Sequence, residues 1–289
     1  QRQMCIRDRN YAHPEVKKEV ISWGKWVVNE LKLDGFRMDA VKHISEGFIK
    51  EFLDEVRSVY GEEFYSVGEY WKDDLGTLKE YLESLEYATD LFDVGLHFNF
   101  HEASVRGKDF DLRTIFDNTI LMSDSMQAVS FVDNHDSQKG SALESQIESW
   151  FKPHAYAIIL LAERGYPCLF YGDYYGVGGQ ESEHRWIIDQ LLHVRKHYAY
   201  GGEIDYFDDP DIVGIYRTGR ENDPNTGCVA ILSNNEDGEK LIEVGQNRTG
   251  QVWKEVTGSG FDNVVVDDSG FVAFKVKAGK ISVWVPEEK

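Results

Sequence analysis

Apolar residues follow two regimes along the chain. Over residues 15–31 they recur at Val16, Val20, Trp23, Val27 and Leu31, one stripe of a helix, behind Pro14 at a position where a missing N–H costs nothing. A short apolar segment follows at residues 33–40. A second helix is predicted over residues 45–60, with Phe48, Phe52 and Val56 four apart. The alternation continues as strand 64–70, helix 75–85, strand 91–97, helix 112–122, strand 128–134, helix 150–164, strand 168–174 behind Pro167, and helix 183–198. Strands alternating with helices predict parallel βα units.

Past residue 201 the segments become short and rich in β-branched and aromatic residues: 212–217, 228–233, 241–244, 251–255, 264–266, 271–276 and 281–285. Turn chemistry such as Asn234-Asn235-Glu236-Asp237-Gly238 separates them, which predicts an antiparallel β-sandwich. The chain therefore divides into a βα part, residues 10–200, and a β domain, residues 201–289. Residues 1–9, QRQMCIRDR, hold three Arg and follow neither period, and are read as a non-native leader. Five predicted strands precede the β domain, against eight in a closed barrel. The fold class is α/β, a partial TIM (β/α)8 barrel of about the last five strands, with an open doubly wound sheet as the alternative. No GxGxxG fingerprint or P-loop supports nucleotide binding.

Composition narrows the function classes. At 42% hydrophobic and 13% aromatic the 289 residues are globular in character. A net charge of −20 argues against nucleic acid and anionic membrane as partners and permits a neutral ligand such as a sugar. Three cysteines, Cys5, Cys168 and Cys228, form no CxxC pair, so neither a disulfide framework nor a zinc site is expected. No apolar run reaches the roughly 20 residues of a membrane helix.

Three short stretches carry candidate chemistry. In Leu33-Asp34-Gly35-Phe36-Arg37-Met38-Asp39-Ala40 the period of two puts Gly35, Arg37 and Asp39 on one face and Phe36, Met38 and Ala40 on the other. With the second face toward the helices, Arg37 and Asp39 look into the barrel at the strand's carboxyl end, where barrel active sites are built. The bland alternative is an ion pair that only holds the strand. Glu69 closes the next strand, followed by Tyr70 and Trp71. Carboxylates on adjacent strands can stand about 5 Å apart, the separation of a retaining glycosidase; a solvated loop carboxylate is the alternative for Glu69. In Phe131-Val132-Asp133-Asn134-His135-Asp136-Ser137-Gln138, Asp136 and His135 suit the hydroxyls and developing charge of a sugar, or a metal. Trp71, Tyr70 and Tyr171 offer rings for a pyranose or for ordinary packing.

Together GFRMDAVKH, VGEYW and FVDNHDSQ resemble the second, third and fourth conserved regions of the α-amylase family of glycoside hydrolases, and the likeness to its bacterial liquefying and cytoplasmic members runs from about Tyr11 to Val285. The resemblance implies retaining endo-hydrolysis of α-1,4-glucan in starch, glycogen or maltooligosaccharides. It implies Asp39 as nucleophile, Glu69 as acid/base and Asp136 as third carboxylate. Arg37 would orient Asp39, His135 would bind the same sugar, and Lys42, His43 and Trp71 would line the substrate. It also implies a structural Ca²⁺ that takes the backbone carbonyl of His43. The family's first region and first three strands have no counterpart here, so the chain is read as a carboxyl-terminal fragment with weak or lost calcium binding. The alternatives are a transglycosylase or exo-glucosidase with the same trio, a non-catalytic glucan-binding relic, or an unrelated metal enzyme. A cytoplasmic location is expected, with secretion as the alternative, and a monomer is expected of the whole enzyme.

Overall fold

The computed structural model describes residues 9–287, so the leader reading falls, apart from Arg9, outside the described residues. Helix α1 (Pro14–Leu31) ends at Lys32, whose left-handed backbone returns its N–H to the Val28 carbonyl. There follow β1 (Gly35–Met38), α2 (Glu46–Tyr60), β2 (Tyr65–Gly68), α3 (Leu75–Ser84), β3 (Asp90–Phe92), α4 (Val94–Arg106), α5 (Ile120–Ser123), β4 (Ala128–Phe131), α6 (Lys152–Leu161), β5 (Tyr166–Cys168), α7 (Tyr171–Tyr175) and α8 (Arg185–His197). Strands β1 to β5 pair in parallel and in chain order, a curled half-barrel with β1 and β5 at its edges.

The period-two reading of β1 holds. Phe36 points outward onto Phe52 of α2 and Phe64, with ring centroids 5.8 and 5.0 Å away. Arg37 points the other way, its guanidinium 6.0 Å from the Phe92 ring on β3. Gly35 is needed because a Cβ there would lie 2.6 Å from the Tyr65 carbonyl oxygen. The helical stripe of α2 buries Phe48, Ile49, Phe52, Leu53 and Val56 against the sheet. Each such side chain contributes about 1.5–3 kcal/mol.

The antiparallel part comprises β6 (Glu203–Tyr206), β7 (Ile212–Arg217), β8 (Cys228–Ser233), β9 (Gly238–Glu243), β10 (Val252–Glu255), β11 (Val264–Val265), β12 (Phe271–Val276) and β13 (Ile281–Pro286). Six strands form one sheet, ordered β11-β10-β13-β8-β7-β6, and β12 and β9 form a second. Between them Trp253, Trp284, Phe274 and Ile231 make a separate core. The other face of the large sheet, with Val213, Ile215, Ala230, Leu232 and Val283, joins the core of the half-barrel. Polar ties reinforce that seam: the Arg217 guanidinium donates to the Leu161 carbonyl at 3.0 Å, and His154 Nε2 bonds the Ser233 carbonyl at 2.9 Å.

Three predicted elements are corrected. The strand expected at 91–97 stops at Phe92, because the Asp93 carboxylate accepts the Leu96 N–H at 3.1 Å and starts α4. The helix expected at 112–122 is a 3-10 turn at Leu112–Thr114 and the short α5, separated by Asn118 with φ +56°. The strand expected at 168–174 ends at Cys168 and gives way to α7. Strand β6 was not foreseen. Among the described residues no helix is long and apolar enough to cross a membrane.

Candidate active site

The carboxyl ends of β1 and β2 meet through backbone and side chain together. Glu69 N–H donates to the Met38 carbonyl at 2.8 Å, and Val41 N–H to the Glu69 carbonyl at 3.0 Å. Between them Ala40 adopts a left-handed conformation, φ 49° and ψ 40°. That turn aims the Ala40 N–H at Glu69 Oε2, 3.0 Å away. Glu69 is only 5% exposed, whereas the Asp39 side chain is 73% exposed. One guanidinium reaches both: Arg37 Nη1 contacts Asp39 Oδ1, and Nη2 lies 3.4 Å from Glu69 Oε2. A single fixed cation thus ties a solvent-facing carboxylate to a buried one at adjoining strand ends.

Lys42 and His43 lie in the 3-10 turn Val41–His43 that follows Ala40. Lys42 Nζ donates to the Trp71 carbonyl at 3.0 Å, joining the loops after β1 and β2. His43 is exposed. The Trp71 ring packs at 5.4 Å from His97, 6.1 Å from Phe98 and 6.0 Å from Phe131. Tyr70 packs on Tyr81 at 4.9 Å, and the exposed Tyr171 lies against Tyr175 at 4.5 Å.

His135 and Asp136 lie beyond the end of β4. Their side chains approach to 3.2 Å. Asn134 Oδ1 accepts the Asp136 and Ser137 N–H groups at 2.8 and 2.9 Å, which closes the turn that presents them. Among the described residues neither His135 nor Asp136 makes a hydrogen bond or ion pair to Arg37, Asp39 or Glu69. The structure thus joins Arg37, Asp39 and Glu69 directly and sets His135 and Asp136 on the loop after β4, with β3 between β2 and β4.

Several supporting residues escaped the sequence reading. His97 is fully buried, stacked on Phe131 at 5.0 Å, with Nδ1 bonded to the Val132 carbonyl at 2.6 Å and Nε2 to Ser145 Oγ at 2.8 Å. Burial pushes its pKa down to about 4. Lys152, on α6, is buried between Asp133 and Asp173. The Asp133 of FVDNHDSQ was in view as part of a motif, but its cationic partner Lys152 lies on α6 and leaves no local signal.

A Ca²⁺ takes six to eight oxygens. Among the described residues no group of three or more His, Cys, Asp or Glu side chains converges, around His43 or elsewhere. A calcium site also draws on backbone carbonyls such as the one implied at His43, so calcium remains an expectation, and no chemistry is derived through it.

A family model described as alpha amylase, catalytic domain, matches residues 2–269. The chain is 43% identical over 286 residues to a Bacillus licheniformis protein named alpha-amylase, covering 98% of this chain and 56% of the relative. It is 44% identical over 283 residues to a Bacillus sp. (strain 707) protein named glucan 1,4-alpha-maltohexaosidase, covering 98% and 55%. It shares its fold with the crystal structure of alpha-amylase from Geobacillus thermoleovorans complexed with acarbose, at TM-score 0.74 and 21% identity, covering 98% of this chain and 66% of that one. These matches correct the reading of the chain as a carboxyl-terminal fragment lacking the first barrel strands. Catalytic-domain sequence fills nearly all of it, including much of the β domain. The fragment reading rests on the family's first conserved region and first three strands having no counterpart here. The chain spans about half the length of the curated relatives it matches.

Proposed function

Because the chain belongs to the alpha-amylase family, we propose that it hydrolyses α-1,4-glucosidic bonds of starch-like glucans with retention, Asp39 and Glu69 being the working pair. The observation that carries this is the Arg37 guanidinium shared by an exposed and a buried carboxylate at adjoining strand ends. An Asp39 oxygen attacks the anomeric carbon as the glycosidic C–O bond breaks, and Glu69 gives its proton to the leaving oxygen. Glu69 then takes a proton from water, whose oxygen displaces Asp39 from the anomeric carbon. Arg37 keeps Asp39 aligned through both steps. Asp136 and His135 hold hydroxyls of the sugar being cut, and Trp71, Lys42 and His43 bound the leaving side.

A second reading concerns products. A relative named glucan 1,4-alpha-maltohexaosidase is as similar as those named alpha-amylase, so release of a fixed-length oligosaccharide stands beside random internal cutting; chromatography of early products separates the two, and transglycosylation appears there as lengthened chains. A cytoplasmic location is also proposed, on the free thiols of Cys168 and Cys228; fractionation of the source cells tests it.

The deciding assay is reducing-end release from soluble starch by the chain and its Glu69→Gln variant. Loss of the acid should cost about 10²–10⁴-fold. Equal rates would remove Glu69 from the mechanism. No cutting by either, with retention on a starch gel, would favour a non-catalytic glucan-binding protein.

A further inference from the structure

Behind the loop that carries His135 and Asp136 lies a buried polar chain that no step above uses. Lys152, 5% exposed, stands at the first turn of α6 with its Nζ 2.9 Å from Asp133 Oδ2 and in contact with Asp173 Oδ1. Asp133 and Asp173 are themselves 2% and 5% exposed. Tyr156, also on α6, donates its hydroxyl to Asp173 Oδ2 at 2.7 Å. The chain continues toward the rim. Ser137 Oγ donates to Asp133 Oδ1 at 2.8 Å and accepts the Asn134 N–H at 3.0 Å. The Asn134 side chain in turn holds the N–H groups of Asp136 and Ser137.

Burying one ammonium between two carboxylates is costly unless every partner is held in place. A core of the same volume would be served as well by apolar side chains. What the ionic arrangement adds is direction: it pins the Asp133 carboxylate, and through Ser137 the turn on which Asp136 stands, to two elements outside that loop. We propose that Lys152 and Ser137 are positioning residues for Asp136, acting through Asp133 and Asn134 without touching substrate. The inference rests on the role given to Asp136 above.

Two measurements test it. Hydrogen exchange on the intact chain reads the turn without need of activity. In Ser137→Ala, which leaves the Lys152 ion pairs in place, the Asp136 and Ser137 amides should exchange at least about tenfold faster, while the α6 interior is unchanged. Lys152→Met should give the same local signature; should that variant fail to fold, Ser137→Ala decides alone. Unchanged exchange at the two amides in Ser137→Ala overturns the proposal. The second measurement is kinetic. Ser137→Ala should lower kcat by about tenfold or more, with KM changed much less, since misplacement by about an ångström suffices for such a loss. In an Asp136→Asn background the same substitution should cost less than about twofold, because the group it positions is gone. A full tenfold cost persisting there overturns the proposal. If Asp136→Asn alone leaves the rate unaltered, the role given to Asp136 is what fails, and the exchange result still judges the positioning.

Discussion

Acid should unfold this protein partly through two histidines that water does not reach. His97 and His154 are both fully buried, and burial holds each pKa down to about 4 from an ordinary 6.5. For His97 the hydrogen bonds do not forbid protonation. Val132 O can only accept, so Nδ1 carries the proton of the neutral ring and Nε2 accepts from Ser145 Oγ; that hydroxyl could turn to Leu143 O, 2.8 Å away, and accept from a protonated ring instead. The cost of charging is therefore desolvation. Between pH 6.5 and 4 the unfolded chain holds more protons than the native one, so stability is complete above pH 6.5 and falls as pH drops toward 4. A shift of that size is worth about 3 kcal/mol per histidine, against a total of about 5–15 kcal/mol for a typical protein. The assay is urea unfolding at pH 7, 6, 5 and 4 for the native chain and for His97→Gln, whose amide can keep a bond to Val132 O. The stability difference between the two should shift by about 3 kcal/mol in the variant's favour from pH 7 to 4. Parallel curves, offset by the same amount at every pH, would refute the argument.

Two further outcomes are expected. Ala40 holds φ +49° at the joint between Asp39 and Glu69, a conformation costing a non-glycine residue about 1–2 kcal/mol. Ala40→Gly should raise thermal stability by up to about 1 kcal/mol and lower activity by loosening Asp39; a melting temperature that falls would count against strain at this residue. Adding 1 mM Ca²⁺ after chelation should stabilise the chain by less than about 0.5 kcal/mol; a larger stabilisation would refute weak calcium binding.

Sequence alone determined what is periodic and local. The period of two in GFRMD separated Phe36 from Arg37, and the structure puts one against α2 and the other over Phe92. The β segments at Ile212–Arg217, Cys228–Ser233 and Phe271–Val276 were legible to the residue, because alternation and turn chemistry act over neighbours. Motif spacing was sufficient to name the family. Only the tertiary structure decided where local signals competed. Asp93 reads as part of a strand until its carboxylate is seen capping α4 and accepting from Leu121 N–H at 2.8 Å. Only the fold, too, put Lys152 between Asp133 and Asp173, segments some twenty residues away on either side, and gave one guanidinium two carboxylates of such different exposure. Contacts of that kind are set by which elements pack together, and the free energy that packs them comes from apolar area buried across the whole sheet and not from the residues that meet.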